Sequence, residues 1–320
     1  MVFDAHSDIW TNITLHSLQG ETDIFHKYHK KSLEKGGIEG GIFAIWIDSP
    51  HNVTRPYERL QEIIAAIKKE ISISKDFVVV KNMQEIKKAK KEGKFYVLIG
   101  IEGLSPIGEN IDLIDLYYDI GARHAMLTWN EENALATGAK GNTARGLTNL
   151  GKKAVEKLLS KKMILDVSHL NEVSFWDITQ LTEGPIIASH SNAKALCDVP
   201  RNLSDTQLFK LRDLHGVIGL NAFEGFVHID AQKQTIDTLV QHAVYIAEKI
   251  GAEHIGCGFD FFDFFSPQFH ISDSPCVRGL ENCSKVPVFL EKLEKAGFSK
   301  KEIEGICFKN FHRVIKQVLS

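Results

Sequence analysis

The chain has 320 residues, of which 43% are hydrophobic and 25% charged, a composition that predicts an ordinary soluble globular protein. A formal net charge of -3 excludes a basic footprint for nucleic acid or for an anionic membrane surface. No stretch approaches the roughly 20 apolar residues of a membrane span, and the first residues do not resemble a secretion signal. We therefore expect a cytoplasmic protein with no membrane or nucleic-acid partner.

The cysteines indicate no covalent framework. The chain has 5 of them, an odd number, and none form a C-x-x-C pair of the kind that holds a disulfide or a thiolate zinc site. We expect reduced thiols.

Short apolar runs recur along the chain, each flanked by glycine or polar residues. Runs of this length suit strands that are buried on both faces, as in a parallel sheet. In chain order they are Val2–Ala5, Gly41–Ile47, Phe95–Ile101, His124–Thr128, Met163–Val167, Pro185–Ser189, Gly216–Leu220 and Glu253–Gly258. The glycines at 36, 37, 40 and 41 are interpreted as a turn that leads into the second strand.

Amphipathic patterns of helical period lie between these runs. They are predicted at Tyr57–Ile71, Ala154–Leu159, Asp205–Leu214 and Ile236–Ile250. Ser299 followed by Glu302 has the spacing of a capping box, which predicts the start of the last helix.

Alternation of strands and helices implies parallel strands joined by right-handed crossovers. Eight predicted strands in 320 residues match an α/β fold of the closed (β/α)8 TIM-barrel type, with residues 1–320 as one catalytic domain. An open doubly wound sheet is the alternative, because a strand count does not establish closure. The sequence lacks the G-x-G-x-x-G turn of a dinucleotide-binding fold after the first strand, so this alternative loses its main support.

Metal-ligand residue types follow five of the apolar runs. They are His6 with Asp8, then Glu102, His169, His190 and Asp260. Each of these residues alone is weak evidence for a site, since a single histidine is more often structural and an aspartate often caps a turn. Active sites of barrels lie at the C-terminal ends of the strands, so the coincidence of five strand ends predicts a site there.

Three imidazoles and two carboxylates suit zinc or a similar divalent ion. These are more ligands than one tetrahedral catalytic zinc uses, which predicts two metal ions. Because no lysine ends any of the runs, Glu102 is the predicted bridge between the ions. Such a pair lowers the pKa of a bridging water, which predicts hydrolysis.

These motifs resemble the membrane dipeptidase (renal dipeptidase) family of zinc peptidases, which has the metal-dependent hydrolase barrel. The resemblance runs nearly from end to end. It begins at Asp4–Asp8 and ends at Asn310–Val314, and its most specific blocks are Ile101–Gly103, Gly146–Thr148, Ile164–His169, Ser189–Ser191, Arg201–Asn202 and Gly256–Asp260.

The resemblance implies a role for each residue. His6 and Asp8 would bind one metal, His169 and His190 the other, and catalytic Glu102 would bridge them. Catalytic Asp260 would contact the amine of the substrate and shuttle a proton. Arg201, which would otherwise be interpreted as a surface ion pair, would hold the substrate carboxylate in its guanidinium fork.

Trp129 departs from the family pattern, because the mammalian enzymes have a histidine there that contacts the substrate near the scissile carbonyl. Tryptophan offers one donor and cannot become cationic. Stabilisation of the transition state would therefore come from the metals, from Trp129 itself or from neighbours such as Asn130 or Asn133, and Trp129 and Asn130 are the predicted substrate-binding residues here. The resemblance also implies a homodimer, although no interface is readable from the sequence.

The leading hypothesis is a binuclear zinc dipeptidase that cleaves small dipeptides, including those with a C-terminal D-residue. The alternative keeps the metals and changes the substrate to another amide, a lactone or an ester, because this fold supports many chemistries. A third hypothesis is a catalytically weak relative that acts as a binding protein.

Overall fold

The computed structural model describes residues 1–265 and 275–320, and its strands form one parallel sheet. The strands are β1 (Val2–Ser7), β2 (Ile38–Trp46), β3 (Phe77–Val79), β4 (Phe95–Glu102), β5 (His124–Met126), β6 (Ile164–Asp166), β7 (Ile187–Ala188), β8 (Val217–Leu220) and β9 (Ile255–Cys257). Their order is β2-β1-β9-β8-β7-β6-β5-β4-β3, and β2 also pairs with β4. That last pairing closes a ring of eight strands, so the predicted (β/α)8 barrel is confirmed and the open sheet is wrong.

The ninth strand, β3, was not predicted. It lies outside the ring and pairs with the start of β4, from Phe77 opposite Phe95 to Val79 opposite Val97. A run of three residues, two of them only half-buried, is too short to stand out as a strand in the sequence.

Helices surround the barrel. They are α1 (Ile9–Leu18), α2 (Lys31–Lys35), α3 (His51–Thr54), α4 (Pro56–Ile73), α5 (Met83–Lys91), α6 (Ile114–Asp119), α7 (Asn149–Ser160), α8 (Glu172–Thr179), α9 (Asp205–Asp213), α10 (Glu224–Val227), α11 (Ile236–Ile250), α12 (Val286–Lys295), α13 (Lys300–Glu304) and α14 (Asn310–Val318). The four predicted helices correspond to α4, α7, α9 and α11. The capping box is present, since Ser299 Oγ accepts from Glu302 N and the Glu302 carboxylate accepts from Ser299 N.

The interpretation of the glycines as one turn is wrong for Gly40 and Gly41, which lie inside β2. A Cβ atom on Gly40 would come within 2.3 Å of the buried Tyr96 ring, and one on Gly41 within 2.5 Å of the Asp4 carbonyl oxygen. Of these four glycines, only Gly37, with φ +65°, has a backbone conformation that requires a turn glycine. Close packing inside the barrel therefore explains the two later glycines.

A buried ion pair anchors the chain that follows β2. Arg59 in α4 donates from Nε to Asp48 Oδ1 (2.7 Å) and from Nη2 to Asp48 Oδ2 (3.1 Å). Its Nη1 donates to Glu62 Oε2 at 2.9 Å. Arg59 is 1% exposed and Asp48 3% exposed, so the pair ties α4 to the segment that leaves the top of the barrel.

Within the part of the chain that the structure describes, no helix has the length and apolar character needed to cross a membrane. The five cysteines, all in described positions, are buried.

Candidate active site

The five predicted metal-ligand side chains and that of Asp260, predicted to be catalytic, converge at the C-terminal end of the barrel. His6 lies in β1, Asp8 is the residue before α1, and Glu102 ends β4. The other three, His169, His190 and Asp260, lie two or three residues after β6, β7 and β9. Every one of these side chains is buried except that of Asp260, which is 12% exposed. Parallel strands that end at one rim explain how distant parts of the sequence meet here.

Glu102 lies at the centre of the cluster, and its two oxygens face different histidines. Oε1 is 2.8 Å from His169 Nε2 and 3.5 Å from His190 Nε2. Oε2 is 3.5 Å from His6 Nε2. A carboxylate that faces imidazoles on both sides has the arrangement of a ligand shared between two metal positions.

Two overlapping groups of donor atoms are close enough to hold cations. One consists of His6, Glu102 and His190, and the other of His6, Asp8 and Asp260. In each group the ligand atoms lie within 4.8 Å of one another. His6 belongs to both groups, and its Nε2 is 3.7 Å from Asp8 Oδ1 and 3.8 Å from Asp260 Oδ1.

Several of these atoms are buried without a hydrogen-bond partner. They include both ring nitrogens of His6 and Oδ1 of Asp8. Buried polar atoms in proteins are nearly always paired, because an unpaired one costs about 1–3 kcal/mol. Unpaired imidazole nitrogen and carboxylate oxygen atoms are what divalent metal ions bind, so this donor set fits the predicted metals.

The electrostatics of the cluster also favour a bound cation. Burial disfavours the charged form of His6, but Glu102, Asp260 and Asp8 outweigh it and raise the pKa of His6 to about 10. Burial and the neighbouring Glu102 carboxylate raise the pKa of Asp8 well above its usual value. Three acids packed together in a buried site repel one another, and bound metal ions would supply the positive charge that offsets this repulsion.

Two histidines of the cluster favour the neutral form. Burial and nearby positive charge lower the pKa of His169 to about 4 and that of His190 well below its usual value. His169 Nδ1 is 2.9 Å from Asn130 Oδ1, and His190 Nδ1 is 2.8 Å from Ser189 Oγ. Such partners fix the ring, and Nε2 of both histidines faces Glu102 Oε1. Asn130, predicted as a substrate residue, thus has its amide oxygen engaged with His169.

Asp166, which sequence reasoning did not single out, ties the strands that carry His169 and His190. Its Oδ1 accepts from the backbone N–H groups of Ser168 (2.8 Å) and Ser189 (3.1 Å). Its Oδ2 is 2.7 Å from Nε2 of the buried His124. An aspartate inside an apolar run was the available signal, since a buried carboxylate needs partners.

Arg201 lies inside the site and not in a surface ion pair, so that alternative reading is wrong. It is 5% exposed, and it donates from Nη2 to the His190 carbonyl oxygen (3.0 Å) and from Nη1 to Ser191 Oγ (3.3 Å). Its Nε is buried without a partner. Burial lowers its pKa to about 10, which leaves the guanidinium charged at neutral pH.

Trp129 borders the cluster and belongs to an aromatic wall. Its ring centroid is 6.1 Å from that of His169 and 5.7 Å from that of Trp46, at the end of β2. Phe262 and Phe265 contact Trp46 from the segment after β9. Trp46 and these phenylalanines were not predicted, because aromatic residues beside strands are more often core.

A closed parallel barrel with His, Asp and Glu side chains gathered at its C-terminal rim defines the class of barrel hydrolases with a metal-binding donor set. The sequence profile described as membrane dipeptidase (peptidase family M19) matches residues 1–320. The chain belongs to this family, which confirms the predicted resemblance and the prediction of an enzyme, a metallo-dipeptidase.

Individual relatives and solved structures match most of the chain. An uncharacterized dipeptidase of Schizosaccharomyces pombe is 30% identical over 321 residues, covering 95% of this chain and 75% of that protein. An uncharacterized protein of Acinetobacter calcoaceticus is 29% identical over 283 residues, 78% of this chain and 90% of that one. A metallo peptidase of Rhodobacter sphaeroides, solved with a phosphinate mimic of the dipeptide L-Ala-D-Ala, has a TM-score of 0.86 at 22% identity and covers 99% of both chains.

Proposed function

We propose that the chain is a dipeptidase that works with two divalent zinc ions. The observation that carries the proposal is the position of Glu102, whose carboxylate oxygens face His169 and His190 on one side and His6 on the other. His6 and Asp8 would hold one ion, and His169 and His190 the other, with Glu102 shared. When bound, the ions would polarise the scissile carbonyl and lower the pKa of a water between them toward neutrality.

Two charged side chains at the rim suit the two ends of a dipeptide. Arg201 offers a guanidinium whose Nε is unpaired and which matches a carboxylate in a fork geometry. Asp260 has a carboxylate oxygen 3.8 Å from His6 Nε2 and is the most exposed of the acids in the cluster. Asp260 would contact the substrate ammonium group and accept a proton, while Arg201 would hold the C-terminal carboxylate.

Burial, followed by the nearby Glu102, raises the pKa of Asp260 above the usual aspartate value. A carboxyl with a raised pKa takes up a proton more readily than an ordinary aspartate, which suits a group that exchanges a proton with the substrate. Trp129 and the rest of the aromatic wall would exclude water from the side of the substrate nearest His169.

The phosphinate mimic of L-Ala-D-Ala bound by the Rhodobacter sphaeroides protein supports a dipeptide with a C-terminal D-residue as the first substrate to test. The purified chain should be stripped with EDTA, reloaded with Zn²⁺, and assayed with L-Ala-D-Ala and L-Ala-L-Ala. Cleavage that needs the metal is expected. If neither these peptides nor a wider dipeptide panel is cleaved in a metal-dependent way, the proposal fails.

Arg201→Ala tests the substrate orientation. Removing a buried hydrogen-bonded charge partner costs several kcal/mol, so kcat/KM should fall at least 100-fold, mainly through KM. Arg212→Ala is a matched control, because Arg212 is an exposed arginine of α9 that pairs with Asp213. It should leave both kinetic constants unchanged.

Trp129 favours a second candidate function, the hydrolysis of another amide, a lactone or an ester at the same metals. Cleavage of blocked or cyclic substrates that survives Arg201→Ala would support this candidate.

The single catalytic domain of residues 1–320 is part of the main proposal. The homodimer stays a prediction, which analytical ultracentrifugation tests.

A further inference from the structure

Asn221, one residue after β8, is fully buried and touches the candidate site. Its Nδ2 donates to Asp260 Oδ2 at 3.2 Å, and its Oδ1 accepts from the backbone N–H of Phe223 at 2.6 Å. The bond to Phe223 fixes the oxygen of the Asn221 carboxamide, and its N–H group donates to Asp260 Oδ2. Asp260 Oδ1 is the oxygen that faces His6.

The backbone of Asn221 is bonded to a second asparagine. Asn192 Nδ2 donates to the Asn221 carbonyl oxygen (2.9 Å), and Asn192 Oδ1 accepts from Asn221 N (3.1 Å). The Asn192 N–H donates in turn to Asn202 Oδ1 at 3.2 Å. Asn202 follows Arg201 directly, and its Nδ2 donates to the carbonyl oxygen of Cys197 at 2.9 Å. A continuous set of hydrogen bonds therefore joins Asp260 to the segment that carries Arg201.

The need for such support is visible in the backbone. Asp260 has φ +60°, a left-handed conformation that a non-glycine residue adopts at some cost. Arg201 lies between β7 and α9, outside any helix or strand of the structure. The strands and helices of the barrel alone therefore do not fix the Asp260 and Arg201 side chains.

We propose that Asn221 is a positioning residue whose side chain fixes Asp260, while the bonds of its backbone to Asn192, and of Asn192 to Asn202, tie it to the segment that carries Arg201. It would thus help to set the spacing between the groups that hold the two ends of the substrate. This inference rests on the proposed dipeptidase function, in which those two residues bind the ammonium and carboxylate groups. A dipeptide has a nearly fixed distance between its charged ends, so a shift of about 1 Å in either group costs on the order of 100-fold in rate.

The main test is a double-mutant cycle with Asn221→Ala and Asp260→Asn, assayed with L-Ala-D-Ala on the zinc-loaded protein. Asn221→Ala should lower kcat/KM about 10- to 100-fold while the metal content per chain stays at the wild-type value. In the Asp260→Asn background the same change should cost no more than about 3-fold, because interacting residues are not additive.

A matched control is available in Asn310. It is also buried, and its Nδ2 donates to the carbonyl oxygens of Ala252 (2.9 Å) and Ile255 (2.7 Å), at the opposite end of β9 from the site. Asn310→Ala should lower Tm and leave kcat/KM unchanged. Asn221→Leu provides a second variant should Asn221→Ala not fold, because it keeps most of the buried side-chain volume while it loses the donor to Asp260.

The outcomes separate the two ideas. Wild-type protein that cleaves no dipeptide contradicts the proposed function. Active wild-type protein in which Asn221→Ala stays within 2-fold of wild type, or in which its effect multiplies fully with that of Asp260→Asn, contradicts the positioning role alone.

Discussion

The imidazole rings of His6 and His190 stack with their centroids 3.7 Å apart and their planes at 25°, although one belongs to β1 and the other follows β7. Neither ring nitrogen of His6 has a hydrogen bond. Because two imidazoles lie this close beside three carboxylates, we expect the stability of the fold to depend on whether a cation is bound between them.

Metal binding should therefore stabilise the fold measurably. At a free Zn²⁺ concentration about 100 times the dissociation constant, one site adds about 2.7 kcal/mol to the free energy of unfolding. EDTA-stripped protein should show a lower Tm, and added Zn²⁺ should restore it. His6→Ala should abolish most of this shift, because His6 belongs to both donor groups, whereas the exposed His26→Ala should keep it. A zinc-induced shift that survives His6→Ala would contradict the assignment of that ligand.

Asn130 should affect metal affinity through His169. Asn130→Ala removes the oxygen 2.9 Å from His169 Nδ1, so the ring loses the partner that orients it. Loss of such a partner typically weakens metal binding 10- to 100-fold. Asn130→Asp keeps an acceptor and should retain most of the affinity. Titration against a chromophoric chelator measures both variants, and equal affinities for wild type and Asn130→Ala would rule out the orienting role.

The Arg59–Asp48 pair should be costly to break. Arg59→Ala leaves the buried Asp48 carboxylate with no guanidinium partner, and breaking one side of a buried ion pair costs about 3–5 kcal/mol. Chemical unfolding should show this loss. The double variant with Asp48→Asn should recover part of it, since no uncompensated charge then remains. A loss under 1 kcal/mol for Arg59→Ala would mean that the segment after β2 is held by other contacts.

His29 should make stability fall in weak acid. Burial lowers its pKa to about 3, whereas an unfolded chain titrates near the ordinary value of 6.5. Below pH 6.5 the unfolded state therefore binds more protons, and stability decreases by about 1.4 kcal/mol for each pH unit down to the folded pKa. The contribution is fully present above pH 6.5.

His29→Gln removes that titration and can still donate toward Asn12 Oδ1, which is 2.9 Å from His29 Nε2. The difference in unfolding free energy between wild type and His29→Gln should change by about 1.4 kcal/mol per unit between pH 6 and pH 4. Parallel curves over that range would show that His29 is protonated in the folded state or exposed to solvent.

Much of the barrel could be predicted because its central strands are buried on both faces. The run Phe95–Ile101 contains no charged residue, and Glu102, which follows it, is therefore conspicuous. Closure puts all such ends at one rim, so the convergence of Glu102 with His169 followed from chain order and strand direction alone.

Other features could not be predicted because they depend on partners far away in the sequence. Gly40 was interpreted as a turn residue, and only the position of the Tyr96 ring shows why a side chain is excluded there. Asn221 after a strand is indistinguishable from an ordinary turn asparagine, since its role depends on Asp260, 39 positions later. Left-handed backbone at His169 likewise leaves no mark in the residue type.

Closure of the barrel has a consequence for synthesis of the protein. The first strand docks on the last through Asp4 opposite Cys257, and Asp4 Oδ1 accepts from the Phe259 N–H at 2.9 Å. A nascent chain therefore carries His6 and Asp8 through most of translation before the strand that completes their surroundings leaves the ribosome. We expect C-terminal truncations before residue 257 to leave an open, aggregation-prone sheet that retains no tightly bound metal.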